Sequence, residues 1–538
     1  MNVKFFLLVG AALALILFLV SGRQRSHEPV ASTEPKLKKI ELNTKKVALQ
    51  TMPTKEPVVA YSTLKENAES LPAQRTLRFN SVEEMNRFLA ALKRKGISPK
   101  GVIPALRTLR MTGLSDEQLG QLLEGFSLEE IGLNYRVRLP DSSDSLTKNE
   151  QVPLLPFDQE WFKALGISSI GADWGKGVVV AIVDSGVEAH DTLKTVSIQR
   201  INVGDSAPLS ASEKVNGHGT AVASLIAGQD PRLAGLAPKS RLLSLNVFNE
   251  QGESDAFLVA EAIVQAVDAG ANIINLSLGS AGDSPVLRDA VTYALQRGVA
   301  LVAASGNEGV GQIAYPARYP GVLAVGSTDA TTRPTYFSNY GPELGIVAPG
   351  VSLPAGWSGN QAKNFSGTSA STAVASSALA MLISQNPGVT PLQALSLMQK
   401  YADDWGAPGR DTQAGFGMPN INRIMERNTP GIFDGAITSQ WVASTDERDG
   451  SVSIAVAVQN RGTETLWNPV LNIQANSYQQ NFVIPTLAQG QSYLQRITIY
   501  PSQLNSGKAL ISSKLQLSGI TDRAMGNNVM QSQLRVGR

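Results

Sequence analysis

Six apolar runs spaced along one stretch of the chain constrain the fold more than any other feature. They are residues 178–184 (VVVAIVD), 241–248 (RLLSLNVF), 272–279 (NIINLSLG), 299–307 (VALVAASGN), 322–328 (VLAVGST) and 345–348 (GIVA). Most are continuously apolar instead of alternating, the pattern of parallel strands covered on both faces. Helical patterns fall between them. Ser254 is placed to cap one whose stripe is Phe257, Ala260, Val264 and Val267, and Gly270 stands where a C-terminal glycine stop belongs. Strand and helix in alternation predict an α/β domain with a doubly wound, mostly parallel sheet and its site at the carboxyl ends of the strands. Asp184 and Asn307 both lie at such ends.

At 538 residues the chain holds more than this one domain. Residues 5–20 are uninterrupted apolar or Gly, after Lys4 and before Arg23 and Arg25. That run is short for a membrane span and fits the core of an export signal, so 1–22 reads as a signal peptide, with a retained N-terminal anchor as the alternative. Residues 23–74 are expected to be a linker, rich in Lys, Thr, Pro and Glu over most of their length. Residues 75–140 read as a small α+β unit, with strands at 75–79, 105–111 and 133–139. Capping boxes at Ser81/Glu84 and Ser115/Gln118 open its two helices. Residues 141–151 (DSSDSLTKNEQ) form a polar linker open to proteolysis, and 152–427 the α/β domain. From 431 to 538 the pattern is all-β. Val452, Ile454, Val456 and Val458 alternate with Ser451, Ser453, Ala455 and Ala457, and Tyr493, Gln495, Ile497 and Ile499 form a second period-two face, as in a small antiparallel sandwich.

Composition narrows the chemistry. Lys and Arg number 47 against 45 Asp and Glu, which argues against a large nucleic-acid surface. With no cysteine there is no disulfide and no thiol nucleophile. The 3 histidines are His27, His190 and His218, so any imidazole base is one of these. His27 lies in the linker and His190 in a turn, leaving His218 within NGHGT, where the flanking glycines are expected to leave the ring approachable.

Three segments supply a nucleophile, a base and an acid: Ser369 in SGTSAS, His218 in NGHGT and Asp184 in VDSG. A serine hydroxyl attacks poorly until an imidazole takes its proton, and a carboxylate orients that imidazole. Residues 368–385 read as one long helix starting at the serine, whose free N–H groups and dipole would favour an oxyanion. Taken singly, each segment is an ordinary turn, and Ser366 and Ser369 could be helix caps. Asn307 at a strand end can donate its side-chain amide to the oxyanion alongside the Ser369 N–H, or serve only as a turn residue. The chain order Asp, His, Ser and the lack of a G-x-S-x-G elbow disfavour an esterase or lipase.

Around these positions VAIVDSGV, NGHGTAVASLIAG, VAASGNEG and NFSGTSAS, with YPARYPGVLAVGSTD and FSNYGPELGIVAPG between them, make residues 152–427 resemble the subtilisin-like serine peptidases, the subtilase family. The resemblance implies that Asp184, His218 and Ser369 form the triad and Asn307 the oxyanion donor. It also implies that Leu276, Ser277, Leu278 and Gly279 pair with an extended substrate, and that Ala303, Ala304, Ser305 and Gly306 wall the pocket before the scissile bond. Residues 75–140 more loosely resemble the ferredoxin-like propeptide that helps such enzymes fold and blocks the cleft until cleaved, here between about 140 and 156. The C-terminal unit resembles immunoglobulin-like domains of bacterial surface proteins, which implies either stabilisation of the α/β domain or contact with the cell envelope. No cofactor is required. Family members often carry structural calcium, for which no ligand cluster stands out. One departure is Ala373, where the family has proline four residues after the serine. The first turn tolerates proline because its N–H lacks a helical partner, so alanine there should leave the helix start intact. The expected function is an exported, self-processing serine endopeptidase acting on proteins or peptides. The alternative is an inactive subtilase scaffold with a binding or adhesion role.

Overall fold

The computed structural model describes residues 65–140, 153–204, 217–249, 252–476, 478–503 and 508–535. The apolar run at 5–20, most of the 23–74 linker, His27, Asn216 and the 141–151 linker lie outside them.

The N-terminal unit runs β1 (Ser70–Phe79), α1 (Val82–Arg94), β2 (Gly101–Ile103), β3 (Thr108–Thr112), α2 (Asp116–Leu123) and β4 (Leu128–Val137). Its antiparallel order β4-β1-β3-β2 places β1 between β4 and β3. Leu77, Phe79, Phe88, Leu92, Leu109 and Leu119 fill the core between sheet and helices. Ser115 and Gln118 form the expected reciprocal capping box, whereas Ser81 only accepts from Glu84 N, and the Glu84 carboxylate turns to Arg87 instead. The strand expected at 105–111 is broken, because Pro104–Leu106 form a 3-10 turn and Arg107 sits at φ 54. The linker also ends earlier than 74, since β1 begins at Ser70.

The central domain contains β5 (Val179–Asp184), β6 (Ile198–Asn202), α3 (His218–Ala227), β7 (Arg241–Asn246), β8 (Ser254–Asp255), α4 (Ala256–Asp268), β9 (Ile273–Leu276) and α5 (Pro285–Gln296). It continues through β10 (Ala300–Ala304), β11 (Leu323–Thr328), β12 (Leu344–Pro349), the hairpin β13 (Leu353–Trp357) and β14 (Gln361–Phe365), and α6 (Thr368–Gln385). After α7 (Pro391–Lys400), a short pair β15 (Ala402–Asp403) and β16 (Met418–Pro419) and α8 (Ile421–Met425) close it. The main sheet has seven parallel strands in the order β12-β11-β10-β9-β5-β7-β6. All six expected strands are present. The edge strand β6 escapes sequence reading because its polar residues Gln199, Arg200 and Asn202 interrupt any apolar run. Asp255, not Ser254, caps α4 by accepting from Phe257 N and Leu258 N, while Ser254 is used in a strand pair with Val137. Helix α6 spans the expected residues, and Ala373 is buried within it without interrupting it.

Two sheets make the C-terminal unit. One is β17 (Gly435–Thr445), β18 (Val452–Asn460) and β21 (Ser492–Ile499); the other is β19 (Val470–Ala475), β20 (Tyr478–Val483), β22 (Lys508–Gln516) and β23 (Val529–Arg535). Val452, Ile454, Val456 and Val458 share one core with Leu471, Ile473 and Ile511 of the second sheet. The half-buried strand expected at 451–458 is instead covered on both faces, with Ala455 and Ala457 buried. Their face of the sheet abuts the central domain: Gln459 Nε2 donates to the Ala402 carbonyl at 3.3 Å and Ser439 Oγ to Gly406 O at 2.9 Å. Arg423 and Arg461 share Asp403 across the same seam, at 2.9 and 3.3 Å.

Asp404 gives this seam a pH dependence. Burial raises its pKa to about 6, although Gly409 N and Ser492 Oγ both donate to Oδ2; nearby Asp411 adds to the rise and Arg461 opposes it. A carboxyl whose folded pKa exceeds its unfolded one stabilises the fold fully below pH ~4 and loses that stabilisation as pH rises through ~6. The rise corresponds to roughly 3 kcal/mol. Asp404→Asn, which keeps an acceptor for both donors, is expected to be more stable than the parent above pH 6 and to erase this difference near pH 4. Urea unfolding at both pH values in a Ser369→Ala background checks it, and equal differences at the two pH values would refute it.

Candidate active site

Asp184 is the last residue of β5, an interior strand between β9 and β7, and is fully buried. Its Oδ1 accepts from Ser185 N at 2.7 Å, which fixes the carboxylate plane. Both oxygens then receive His218 Nδ1, at 2.9 and 3.0 Å. A carboxylate can only accept, so Nδ1 carries a proton, and in the neutral ring this puts the lone pair on Nε2, the tautomer a general base needs.

His218 is the first residue of α3 and is only 1% exposed. The flanking glycines therefore do not open a path to the ring, contrary to expectation. A Cβ on Gly219 would come within 2.1 Å of Gly186 O and 3.2 Å of Asp184 Oδ1, so glycine is what lets the α3 start close onto the Asp184 loop. Phe365 meets the imidazole edge-to-face, with ring centroids 5.1 Å apart, and Trp357 packs against Phe365. His190 is structural, as expected from its turn. Its Nδ1 accepts from Thr192 N at 3.2 Å and its Nε2 donates to Gln361 O at 2.8 Å.

Helix α6 packs directly on α3 and opens at Gly367, whose φ of 119 suits glycine. Gly367 itself offers no side-chain cap. Ser366 Oγ accepts from Ser352 N instead, and Ser369 lies inside the first turn, so neither serine is a cap. Ser369 is buried, and its hydroxyl donates to the Ser277 carbonyl at 3.3 Å. A chain of buried polar groups braces this point. Ser376 Oγ donates to Asn275 Oδ1 at 3.0 Å, Asn275 Nδ2 to Ser277 Oγ at 2.9 Å, and Ser277 Oγ to the Ser369 carbonyl at 3.1 Å.

Asn307 follows β10, and its Oδ1 accepts from both Thr368 N at 2.9 Å and Thr368 Oγ1 at 2.8 Å. Two donors on the oxygen assign the amide orientation, with Nδ2 as the end able to donate. Nothing in the sequence singles out Thr368, although it stands beside the serine in the same motif. Phe365 and the Ser376–Asn275–Ser277 chain leave no local signal at all.

Of the residues expected to pair with substrate, Gly279 pairs with the N-terminal unit. Arg138 N donates to Gly279 O and Gly279 N to Arg138 O, both at 2.9 Å. On the other side, β8 pairs with Arg136 and Val137. The end of β4 thus runs between β8 and the 276–279 segment as an added antiparallel strand. Ala303 and Ala304 are buried at the end of β10, followed by Ser305 and Gly306, whose N–H faces Thr368 Oγ1 at 3.4 Å. Among the described residues no group of three or more His, Asp or Glu is placed to hold a metal ion. No helix among them is long and apolar enough to cross a membrane.

A buried carboxylate–imidazole pair at the end of β5 and a buried serine on the helix packed against α3 are the residue types that a nucleophilic hydrolase site uses. Residues 175–417 match the family model described as the subtilase family. Subtilisin Savinase of Lederbergia lenta is 36% identical over 235 residues, covering 43% of this chain and 86% of that protein. The minor extracellular protease Epr of Bacillus subtilis (strain 168) is 33% identical over 285 residues, 52% of this chain but only 42% of that protein. The chain therefore spans less than half of Epr. Among solved structures, the prenylagaramide maturation protease PagA is similar at 28% identity and a TM-score of 0.43, covering 50% of this chain and 97% of that one. The chain belongs to the subtilase family of serine peptidases.

Proposed function

We propose that the protein is an exported serine endopeptidase that hydrolyses peptide bonds through an acyl-enzyme on Ser369, with His218 as general base, Asp184 orienting it and Asn307 donating to the oxyanion. The observation that carries this reading is the bond from His218 Nδ1 to both oxygens of Asp184, which leaves Nε2 as the basic nitrogen. In the reaction the Ser369 hydroxyl turns from the Ser277 carbonyl to the imidazole, gives up its proton and attacks the substrate carbonyl. The developing negative charge lies near the first turn of α6, where backbone N–H groups and the helix dipole favour it. His218 then passes the proton to the leaving amine, and water activated by the same base releases the acyl group.

Residues 75–140, with the preceding start of β1, are proposed as the propeptide. Their bond to Gly279 and pairing with β8 support this, since an extended peptide would use the same backbone groups. Export rests on the apolar run at 5–20. For the C-terminal unit the buried seam at Asp403, Gln459 and Arg461 favours stabilisation of the central domain; envelope contact would fall to its outer surface.

A fluorophosphonate tests the reading, because it esterifies only an activated serine. Labelling at Ser369 of the processed protein is expected, and folded, processed protein that takes no label would favour the inactive scaffold. Asn307→Leu is expected to lower kcat by about 100- to 1000-fold with KM little changed, a magnitude carried over from subtilisin, the family's reference enzyme. An equal loss through KM alone would argue against the oxyanion role.

A further inference from the structure

Two residues of α6 and two of the β9 segment meet in a closed circuit of hydrogen bonds. Ser376 Oγ donates to Asn275 Oδ1 at 3.0 Å, and Asn275 Nδ2 donates to Ser277 Oγ at 2.9 Å. Ser277 Oγ donates in turn to the Ser369 carbonyl at 3.1 Å, and the Ser369 hydroxyl returns to the Ser277 carbonyl at 3.3 Å. All four residues are buried. Each proton in the circuit has one place. Nδ2 can only donate, so Ser277 Oγ accepts from it and keeps its own proton for the Ser369 carbonyl. The reversed amide would draw that proton to Oδ1 and leave the carbonyl without it.

The spacing makes this a two-point attachment. Ser369 and Ser376 stand about two turns apart along one face of α6. Asn275 and Ser277, with one residue between them, point to the same side of an extended segment. A single contact would let the helix slide or tilt on the sheet, and apolar packing alone tolerates small shifts. Buried hydrogen-bonding groups do not, because a group that loses its partner there finds no other. The same segment receives an extended chain: Gly279, two residues beyond Ser277, exchanges both backbone hydrogen bonds with Arg138.

Resting on the peptidase reading above, we propose that Ser376, Asn275 and Ser277 are positioning residues, whose circuit sets the distance between Ser369 and an extended chain lying on residues 276–279. Ser277 holds residue 369 twice, its carbonyl on the hydroxyl and its hydroxyl on the carbonyl. When the Ser369 hydroxyl swings to His218 the first tie breaks. The second then keeps the nucleophile's backbone in place, and Asn275 and Ser376 keep the second aimed. Attack is steep in distance: a displacement of 1 Å costs about 100-fold, so half of that costs roughly tenfold.

Variants are made in the full-length chain. Their kcat on a peptide anilide is divided by the sites that a fluorophosphonate titrates, so misfolded molecules do not count. Ser277→Ala, which keeps the backbone carbonyl, is expected to lower kcat per site about tenfold with KM within about twofold of the parent. Ser376→Ala, one step further away, should lower it about threefold, and the double variant no more than Ser277→Ala alone, because both act through one circuit. Ser377→Ala should match the parent, since that hydroxyl only bonds back to the Val374 carbonyl of its own helix at 2.9 Å. Parental kcat in Ser277→Ala, losses that multiply in the double variant, or a loss confined to KM or to the number of titrated sites would each overturn the proposal and leave the peptidase reading standing. If the parent itself hydrolyses no anilide and takes no fluorophosphonate, the peptidase reading fails and this proposal with it.

Discussion

Ser369→Ala is expected to stop self-processing and to lower peptide hydrolysis by about a million-fold, a magnitude carried over from this triad in subtilisin itself. The loss is large because the hydroxyl is the bond-forming group and nothing nearby can replace it. Cysteine is absent from the chain, and Ser371 and Ser366 have other partners: Ser371 Oγ donates to the Ala348 carbonyl, and Ser366 Oγ accepts from Ser352 N. Folding should survive, since the bond that the hydroxyl gives up, to the Ser277 carbonyl at 3.3 Å, is a long one. Calorimetry of the variant should therefore show a cooperative transition near that of unprocessed parent. A variant that is folded and still retains a few per cent of parental turnover on a peptide anilide would remove Ser369 from the mechanism.

Asp184→Asn carries the second largest effect, about ten-thousand-fold in kcat. Asparagine keeps one oxygen for Ser185 N, so the local geometry persists. Its NH2 then faces His218 Nδ1 and donates to it, which moves the ring proton to Nε2. The base is lost without being moved. The measurement is kcat against pH, with processed protein prepared by adding active parent in trace and then removing it. A loss that vanishes at neutral pH, or one below about tenfold there, would mean that the carboxylate does not set the tautomer.

These effects depend on contacts of different legibility. The α/β architecture could be read because each buried strand is a local apolar run, and helix α6 could be placed because Gly367 precedes an unbroken helix-forming stretch. The four positions proposed to react stand in short motifs where glycine is needed for close approach, as at Gly219. What escaped reading depends on partners distant in sequence. Asp255 caps α4 while the Ser254 hydroxyl donates to the Val247 carbonyl, and both residues pair with the end of β4, more than a hundred residues earlier. Ala455 and Ala457 look like the outer face of a strand, yet both are buried, and Gln459 on the same strand bonds to Ala402 and Asp404. The role of Thr368 becomes visible only once Asn307 is brought across from another strand end.

The added strand at the end of β4 has a consequence for what remains when it leaves. Two rails of backbone donors and acceptors, along β8 and along 276–279, would face each other across an unfilled slot. Rails of that kind grip any extended chain regardless of its side chains, including loops of a sister molecule. Departure of the strand would therefore turn a self-contained molecule into a hazard to its own kind, and the danger would grow with concentration.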